Sequence, residues 1–284
     1  MSRLTEDKRM LEYDLMLPYS NIFCFSTTRH GGVGKGMYDS FNCTPYTGDD
    51  RYSVERNLAL LRSLMPAPVE LVIPYQTHGT QILRIDDKFT HASEMERNAF
   101  LQKTDALITD CEGYCLCIST ADCVPVLLYD RVHWAVAAIH AGWRGTAACI
   151  VETVLQCMSS TFGTCGKDIV ACIGPSISLE AFETGEEVFQ LFKDQGFPME
   201  CIAHRHSQTG KWHLDLWEAN RLQLTLFGVP ESQIEIAGIC TYAQYNDFFS
   251  ARRLGIKSGR ILSGIMIKKD KAFYEYPKVM NIWI

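Results

Sequence analysis

The residues from Thr104 to Thr146, TDALITDCEGYCLCISTADCVPVLLYDRVHWAVAAIHAGWRGT, decide how this chain is read. Val124-Pro125-Val126-Leu127-Leu128-Tyr129 and Trp134-Ala135-Val136-Ala137-Ala138-Ile139 are apolar runs of strand length. The segment between them, Asp130 to His133, is short and polar and predicts a hairpin turn. With a two-residue loop Asp130 faces His133, and counting back along both strands sets Cys123 opposite His140. Directly opposed residues share a face, with Cβ atoms about 4.5–5.5 Å apart. A thiol and an imidazole then meet at the open end of the hairpin. A loop one residue longer turns them to opposite faces, because strand side chains alternate. Beyond His140, Ala-Gly-Trp-Arg-Gly-Thr leads into helical spacing at Ile150, Val154, Leu155 and Met158. Thr146 is the expected N-cap and Gly163 the expected stop. A glycine-bearing loop carrying Arg144 ahead of a helix N-terminus is a candidate anion site, though the same spacing suits an ordinary strand-to-helix connection.

Working outward, 284 residues with 47% apolar and 21% charged side chains have the composition of a globular protein with a sizeable core. The net charge of −6 argues against a nucleic-acid binder that depends on phosphate contacts. No apolar run approaches the ~18 residues of a membrane span. The opening MSRLTEDKRM is too charged for a signal peptide. The 12 cysteines form no Cys-x-x-Cys pair. Cys115, Cys117 and Cys172 lie inside apolar runs, where a thiol serves as a small hydrophobe. A reducing compartment, and hence a cytoplasmic location, is the expectation.

Residues 1–20 are read as a lead-in without assigned elements, and 21–284 as one catalytic α+β domain. Strands are expected at Ile22–Ser26, Leu71–Tyr75, Gln81–Ile85, Ile169–Ile173, Ile234–Ile239 and Ile261–Ile267. Helices are expected over Ser53–Met65, Glu186–Phe192 and from Leu216 to Phe227, with 86–103 a charged helical surface. Neighbouring strands that read as hairpins favour mixed β-sheets, forming a sandwich flanked by helices, over a doubly wound parallel sheet.

His78, Cys123 and His140 are the candidate chemical residues. Two imidazoles and a thiolate make a three-ligand zinc site with an open fourth position. The same residues also allow a cysteine nucleophile with a histidine base, a blue-copper set, or a metal site without catalysis. Here the chain resembles a known family. Phe25-Ser-Thr-Thr-Arg-His-Gly-Gly, Gln76-Thr-His-Gly, Thr104-Asp-Ala-Leu, Thr120-Ala-Asp-Cys-Val-Pro, His140-Ala-Gly-Trp-Arg-Gly, Ile173-Gly-Pro-Ser-Ile, Leu214-Asp-Leu and Ser250-Ala-Arg-Arg carry the resemblance. In that order they are similar to the laccase-domain, or multicopper polyphenol oxidase-like, proteins. That family is now regarded as purine nucleoside phosphorylases with adenosine deaminase activity.

The resemblance implies that His78, Cys123 and His140 hold a catalytic zinc, with copper as a substitute. It implies phosphorolysis of adenosine, inosine, guanosine or methylthioadenosine, a transferase reaction, and deamination of adenosine, a hydrolase reaction. Asp122 is the candidate proton carrier, and Arg144 and Arg29 are candidates to position phosphate. Gln76, Ser40 and Asn42 are candidates for sugar or base contacts. Purine nucleosides and phosphate are thus the expected partners, with neither nucleic acid nor membrane. A four-copper oxidase needs several His-x-His pairs, and among eight histidines only His204-Arg-His206 forms one.

Overall fold

Both apolar runs at the centre of the sequence become strands without an exposed residue, Val124–Asp130 and Ala135–Ala141. A strand covered on both faces reads as a continuous apolar run. Val124, Val126 and Leu128 pack among helices, while Leu127 and Tyr129 pack against a second sheet. These assignments come from a computed structural model that describes residues 2–269; residues 270–284 of the expected domain lie outside the described residues.

One six-stranded sheet runs Arg3–Leu4, Met10–Glu12, Ile22–Thr27, Ile261–Ile267, Tyr114–Thr120 and Glu70–Val72 from edge to edge. A second six-stranded sheet runs Ile234–Ile236, Ile169–Ile173, Val124–Asp130, Ala135–Ala141, Ala106–Thr109 and Ile82–Arg84, and Glu183–Thr184, Trp212–Leu214 and Ala203–Arg205 form a small third sheet apart from these two. Both are mixed, with parallel pairing at edge strands Glu70–Val72, Ile82–Arg84 and Ile234–Ile236. Leu116, Ile118 and Ile265 of the first sheet share a core with Leu127, Val136 and Val170 of the second. Helix Arg51–Ser63 covers the first sheet's outer face through Leu61. Helices Ile150–Phe162 and Leu216–Leu226 cover the second sheet. Ile150, Val154, Leu155 and Met158 are fully buried there, each burial worth about 1.5–3 kcal/mol. The observed architecture is the expected one, a single α+β domain built as a helix-flanked sandwich of mixed sheets. Among the described residues no helix is long and apolar enough to cross a membrane.

Three local expectations need correction. Asp130 pairs with Ala135 rather than His133, so Pro125, not Cys123, lies opposite His140. The loop is longer because Asp130 holds it: its carboxylate accepts from the N–H of Val132 at 2.9 Å, the N–H of His133 at 3.0 Å and Nδ1 of His133 at 2.8 Å. Trp134 then takes a left-handed conformation, φ 52°, to re-enter the strand. The register moves by an even number, so Cys123 and His140 keep the same face. Asp130→Ala orphans those donors and is expected to cost about 2–3 kcal/mol, read as a fall in Tm of roughly 5 °C. An unchanged Tm would show that the loop does not depend on this carboxylate.

The second correction is at the helix start. Thr146 lies inside a short helix, Trp143–Ala147, capped by Gly142, and donates through Oγ1 to the carbonyl of Ala141 at 3.2 Å. The long helix begins at Ile150 after Cys149, which is left-handed at φ 55°, and Gly163 closes it as expected at φ 82°. Third, the first twenty residues carry two strands, and Tyr13 is fully buried with its hydroxyl 2.6 Å from that of Ser26.

Candidate metal centre and the cavity around it

The site forms where the two sheets end together. Along Ala135–Ala141, His140 continues the face of Val136 and Ala138, which is turned toward the first sheet. Cys123 sits immediately before Val124 on the neighbouring strand. His78 arrives from the connection between Glu70–Val72 in one sheet and Ile82–Arg84 in the other, and is left-handed at φ 62°. A non-glycine residue adopts that conformation only where its surroundings over-determine it. Here the determinant is Asp105.

Asp105 is fully buried, and its carboxylate accepts from five groups, the longest contact being Oγ1 of Thr77 at 3.4 Å. Oδ1 faces Nδ1 of His140 at 2.7 Å and the N–H of His78 at 2.9 Å. Oδ2 accepts from the N–H of Thr77 at 3.1 Å and that of Gly79 at 2.8 Å. One anion therefore fixes the ring of one histidine and the backbone of the other. With Nδ1 of His140 committed to a carboxylate, its Nε2 is the nitrogen left for a metal or a proton. Burial raises the Asp105 carboxyl, but the hydrogen bond and charge of His140 outweigh it and hold it below its ordinary value.

The ligand atoms of His78, Cys123 and His140 all lie within 4.8 Å of one another. The two imidazoles stand edge to face, ring centroids 4.8 Å apart at 71°. Gly142 closes the back of the group: a Cβ there would lie 3.1 Å from both Sγ of Cys123 and Cδ2 of His78. Burial pushes the Cys123 thiol up, yet the charge of His140 and hydrogen bonds from His140 and His78 bring it down to about 6. Burial likewise disfavours charge on His140, and the Cys123 thiolate with Asp105 raises it to about 9. The donor set fits a zinc or copper ion, since the thiol sits among groups that favour thiolate and one imidazole is already oriented. Exposure is graded, from His78 exposed to His140 buried, which leaves one side of the centre open.

That side opens into a cavity of about 850 Å³. Tyr46, Tyr75, Trp143 and Phe182 supply aromatic surface to its wall. Among the described residues the charged lining is lopsided for a chain of net charge −6: Arg144, Arg252 and Arg260 against the single carboxylate of Asp122. None of the three arginines is ion-paired with a carboxylate among the described residues.

The residues expected from sequence divide. Arg144 lines the cavity, exposed, with its guanidinium 4.0 Å above the ring of Trp143. Gln76 lines it too, clamped to the backbone of Ser119 by Nε2 at 2.9 Å and Oε1 at 2.8 Å. Asp122 is left-handed at φ 84°, and its oxygens accept from Oγ1 of Thr241 and the N–H of Arg252, each at 2.7 Å. Arg29 does not line the cavity: it donates to the carbonyls of Asp39 at 2.8 Å and Tyr245 at 2.6 Å. Ser40 donates to the carbonyl of Arg29 at 2.8 Å, and Asn42 is fully buried, bonded to Asp49 at 2.9 Å. Arg29 and Ser40 brace the glycine-rich loop, while Asn42 ties the segment after it to Thr47, Asp49 and the N–H of Arg260. Sequence reasoning passed over Asp105, Arg252 and Arg260, although the first two lie in the Thr-Asp-Ala-Leu and Ser-Ala-Arg-Arg motifs. The signal for Asp105 was a lone acid at the head of an apolar strand, a position that demands partners.

The sequence model of the family described as multi-copper polyphenol oxidoreductase laccase matches residues 23–268. This chain belongs to that family. A relative from Bacteroides thetaiotaomicron named purine nucleoside phosphorylase is 60% identical, over 95% of this chain and all of its own. Adenosine deaminase RL5, from an unknown prokaryotic organism, is 40% identical over 90% of this chain and 97% of its own. The crystal structure of YlmD from Geobacillus stearothermophilus superposes with a TM-score of 0.84 at 31% identity, covering 93% of this chain and 98% of that one. By these relatives the family is one of enzymes, and the chain is an enzyme. The family's multi-copper description meets a single candidate centre here: among the described residues no other group of three or more His, Cys, Asp or Glu converges as a metal site.

Proposed function

We propose that this family member is a zinc-dependent purine nucleoside phosphorylase, accepting adenosine, inosine, guanosine and methylthioadenosine, that also deaminates adenosine. One observation carries the reading: the three-donor centre and the surplus of guanidinium groups share one cavity of about 850 Å³. Sites for drug-sized ligands span about 300–1,000 Å³, and an anionic co-substrate accounts for the unpaired cations. The names of the relatives support the same activities.

A bound zinc ion supplies Lewis-acid chemistry, lowering the pKa of a water to about 7. The chain does the rest. Aromatic side chains of the cavity wall offer faces for a purine. Arg144 meets the phosphate that attacks C1′ of the ribose, and its guanidinium stabilises the negative oxygens through charge-assisted bonds. Among the described residues Asp122 is the only carboxylate on the wall, and each of its oxygens retains a lone pair beyond the bond it accepts. It is the proposed proton carrier in deamination. Gln76, fixed at both ends of its amide, keeps the cavity floor in register with Ser119 rather than contacting sugar.

Arg144→Ala is expected to lower phosphorolysis by roughly two orders of magnitude or more, and deamination far less. Asp122→Asn should show the opposite split. Equal losses in both reactions would remove the assigned roles. The decisive experiment incubates the purified zinc-loaded protein with adenosine, with and without phosphate. Adenine with ribose 1-phosphate, appearing only with phosphate, and inosine without it are the expected products. Neither product would sink the proposal.

The Cys123–His140 pair also favours a second reading, a cysteine hydrolase, because a lowered thiol beside a raised imidazole is how such enzymes arm a nucleophile. His78 weighs against it. A nucleophile needs one base, and the second imidazole completes a ligand set.

A further inference from the structure

Arg260 is partly buried in the cavity wall, and burial pulls its guanidinium below its ordinary value. Its donors can be accounted for one by one. Nη1 gives to the carbonyls of Ser258 at 2.7 Å and Gly259 at 2.9 Å and, at 3.4 Å, to Oγ of Ser258, and Nη2 gives to the carbonyl of Ile256 at 3.0 Å. A guanidinium has five N–H groups, so Nε–H and one N–H of Nη2 remain without an acceptor among the described residues. The side chain is held rigid by its own loop, and its backbone N–H is tied to Oδ1 of Asn42 at 3.0 Å. A cation withdrawn from water needs a counter-charge; Cys123 and Asp122 act on this one from a distance, and no carboxylate is bonded to it. The other two cations of the wall differ. Arg144 is exposed over Trp143, and Arg252 spends Nη1 on the carbonyl of Glu183 at 3.2 Å.

A second observation points to the same corner. Thr44 and Thr120 line the cavity, are only 2% and 1% exposed, and have hydroxyls without a hydrogen-bond partner. Buried hydroxyls are almost always bonded. Thr120 pairs with Ile261, the residue after Arg260, while Thr44 follows Asn42 by two positions. The cavity wall thus carries a cation with open donors and, on neighbouring segments of the chain, two unpartnered hydroxyls.

We propose that Arg260, with Thr120 and Thr44, forms the subsite that binds the oxyanion of inorganic phosphate. This rests on the phosphorylase reading and adds to it the place of the co-substrate. Open guanidinium donors grip two phosphate oxygens, and a hydroxyl donates to another. Arg144, exposed at the wall, meets the same anion as it arrives.

The test titrates inorganic phosphate into zinc-loaded wild type, Arg260→Gln, Arg260→Lys and Thr120→Val by calorimetry, with steady-state kinetics alongside. In Arg260→Gln phosphate affinity should fall at least ~30-fold, with KM for phosphate rising in proportion and KM for the nucleoside moving less than ~3-fold. Arg260→Lys should recover part of the loss, since it keeps the charge without the fork. Thr120→Val, nearly isosteric, should weaken phosphate by roughly 10-fold and keeps the test open if Arg260→Gln does not fold. Phosphate bound as tightly by the variants as by wild type overturns the subsite. So does an equal rise in both KM values, which would make Arg260 a prop of the fold. Affinity for AMP but not for phosphate that depends on Arg260 also overturns it. Arg260-dependent phosphate binding without phosphate-dependent nucleoside cleavage would keep the subsite and fail the phosphorylase reading.

Discussion

Cys123→Ser protein is expected to emerge without stoichiometric zinc and to have lost both nucleoside reactions. The hydroxyl of serine stays protonated at neutral pH and cannot replace a thiolate as a zinc ligand. A metal contributes several kcal/mol of charge stabilisation in such reactions, so the loss should reach about three orders of magnitude or more. Metal analysis and product assays read the two effects separately. The companion measurement uses wild type. Cys123 lies between two imidazoles with every ligand atom within 4.8 Å, so a bound zinc covers its sulfur. Alkylation by iodoacetamide should be slow in the zinc form and fast after chelation, with turnover abolished by chelator and restored by zinc. A cysteine hydrolase predicts the reverse, with full activity in metal-free protein and inhibition by zinc. Sustained turnover of nucleoside by rigorously metal-free protein would overturn the metal reading.

Asp105→Ala carries the second large effect. The substitution orphans Nδ1 of His140 and the N–H groups of Thr77, His78 and Gly79 together. Each buried group left unbonded costs about 1–3 kcal/mol, so the sum endangers the fold itself. Asp105→Asn is the more informative variant. An amide keeps the shape but replaces one acceptor oxygen by a donor, which must face N–H groups whichever way it turns. Partners that orient metal ligands typically account for 10- to 100-fold in metal affinity. Competition with a colorimetric chelator should therefore show zinc bound about 10–100-fold more weakly by Asp105→Asn. Thermal unfolding in the presence of chelator measures the separate cost to the apo fold. Wild-type zinc affinity in Asp105→Asn would show that His140 and the His78 loop hold their positions unaided.

Much of the fold was legible locally. Ile261–Ile267 reads as a strand and is one at the same bounds, because it is buried on both faces and only Ser263, bonded to the hydroxyl of Ser26, and Gly264 break its apolar run. The helix with Ile150, Val154, Leu155 and Met158 was equally plain, since one buried face imposes its period on the chain. The lead-in was not. Arg3–Leu4 is an exposed two-residue edge strand and Met10–Glu12 beside it has three residues, too few in either to show a pattern. Nor was the role of Arg29. An arginine in a glycine-rich loop looks the same in sequence whether it points at a ligand or, as here, at the carbonyls of Asp39 and Tyr245.

The sequence by itself determined the kinds of groups at the centre, two imidazoles and a thiol, and the shared face of Cys123 and His140. Strand alternation has a period of two, so an even error in the loop leaves the face unchanged. Tertiary structure alone decided the true register, through Asp130 and the left-handed Trp134. It alone brought His78 to the hairpin, on a connection that crosses from one sheet to the other. It alone set Asp105 beneath both histidines and Arg260 in the cavity wall. Local chemistry dictates which face a side chain takes. Which distant segments share that face follows from how two sheets of non-consecutive strands pack and where they end, and no window of sequence contains that.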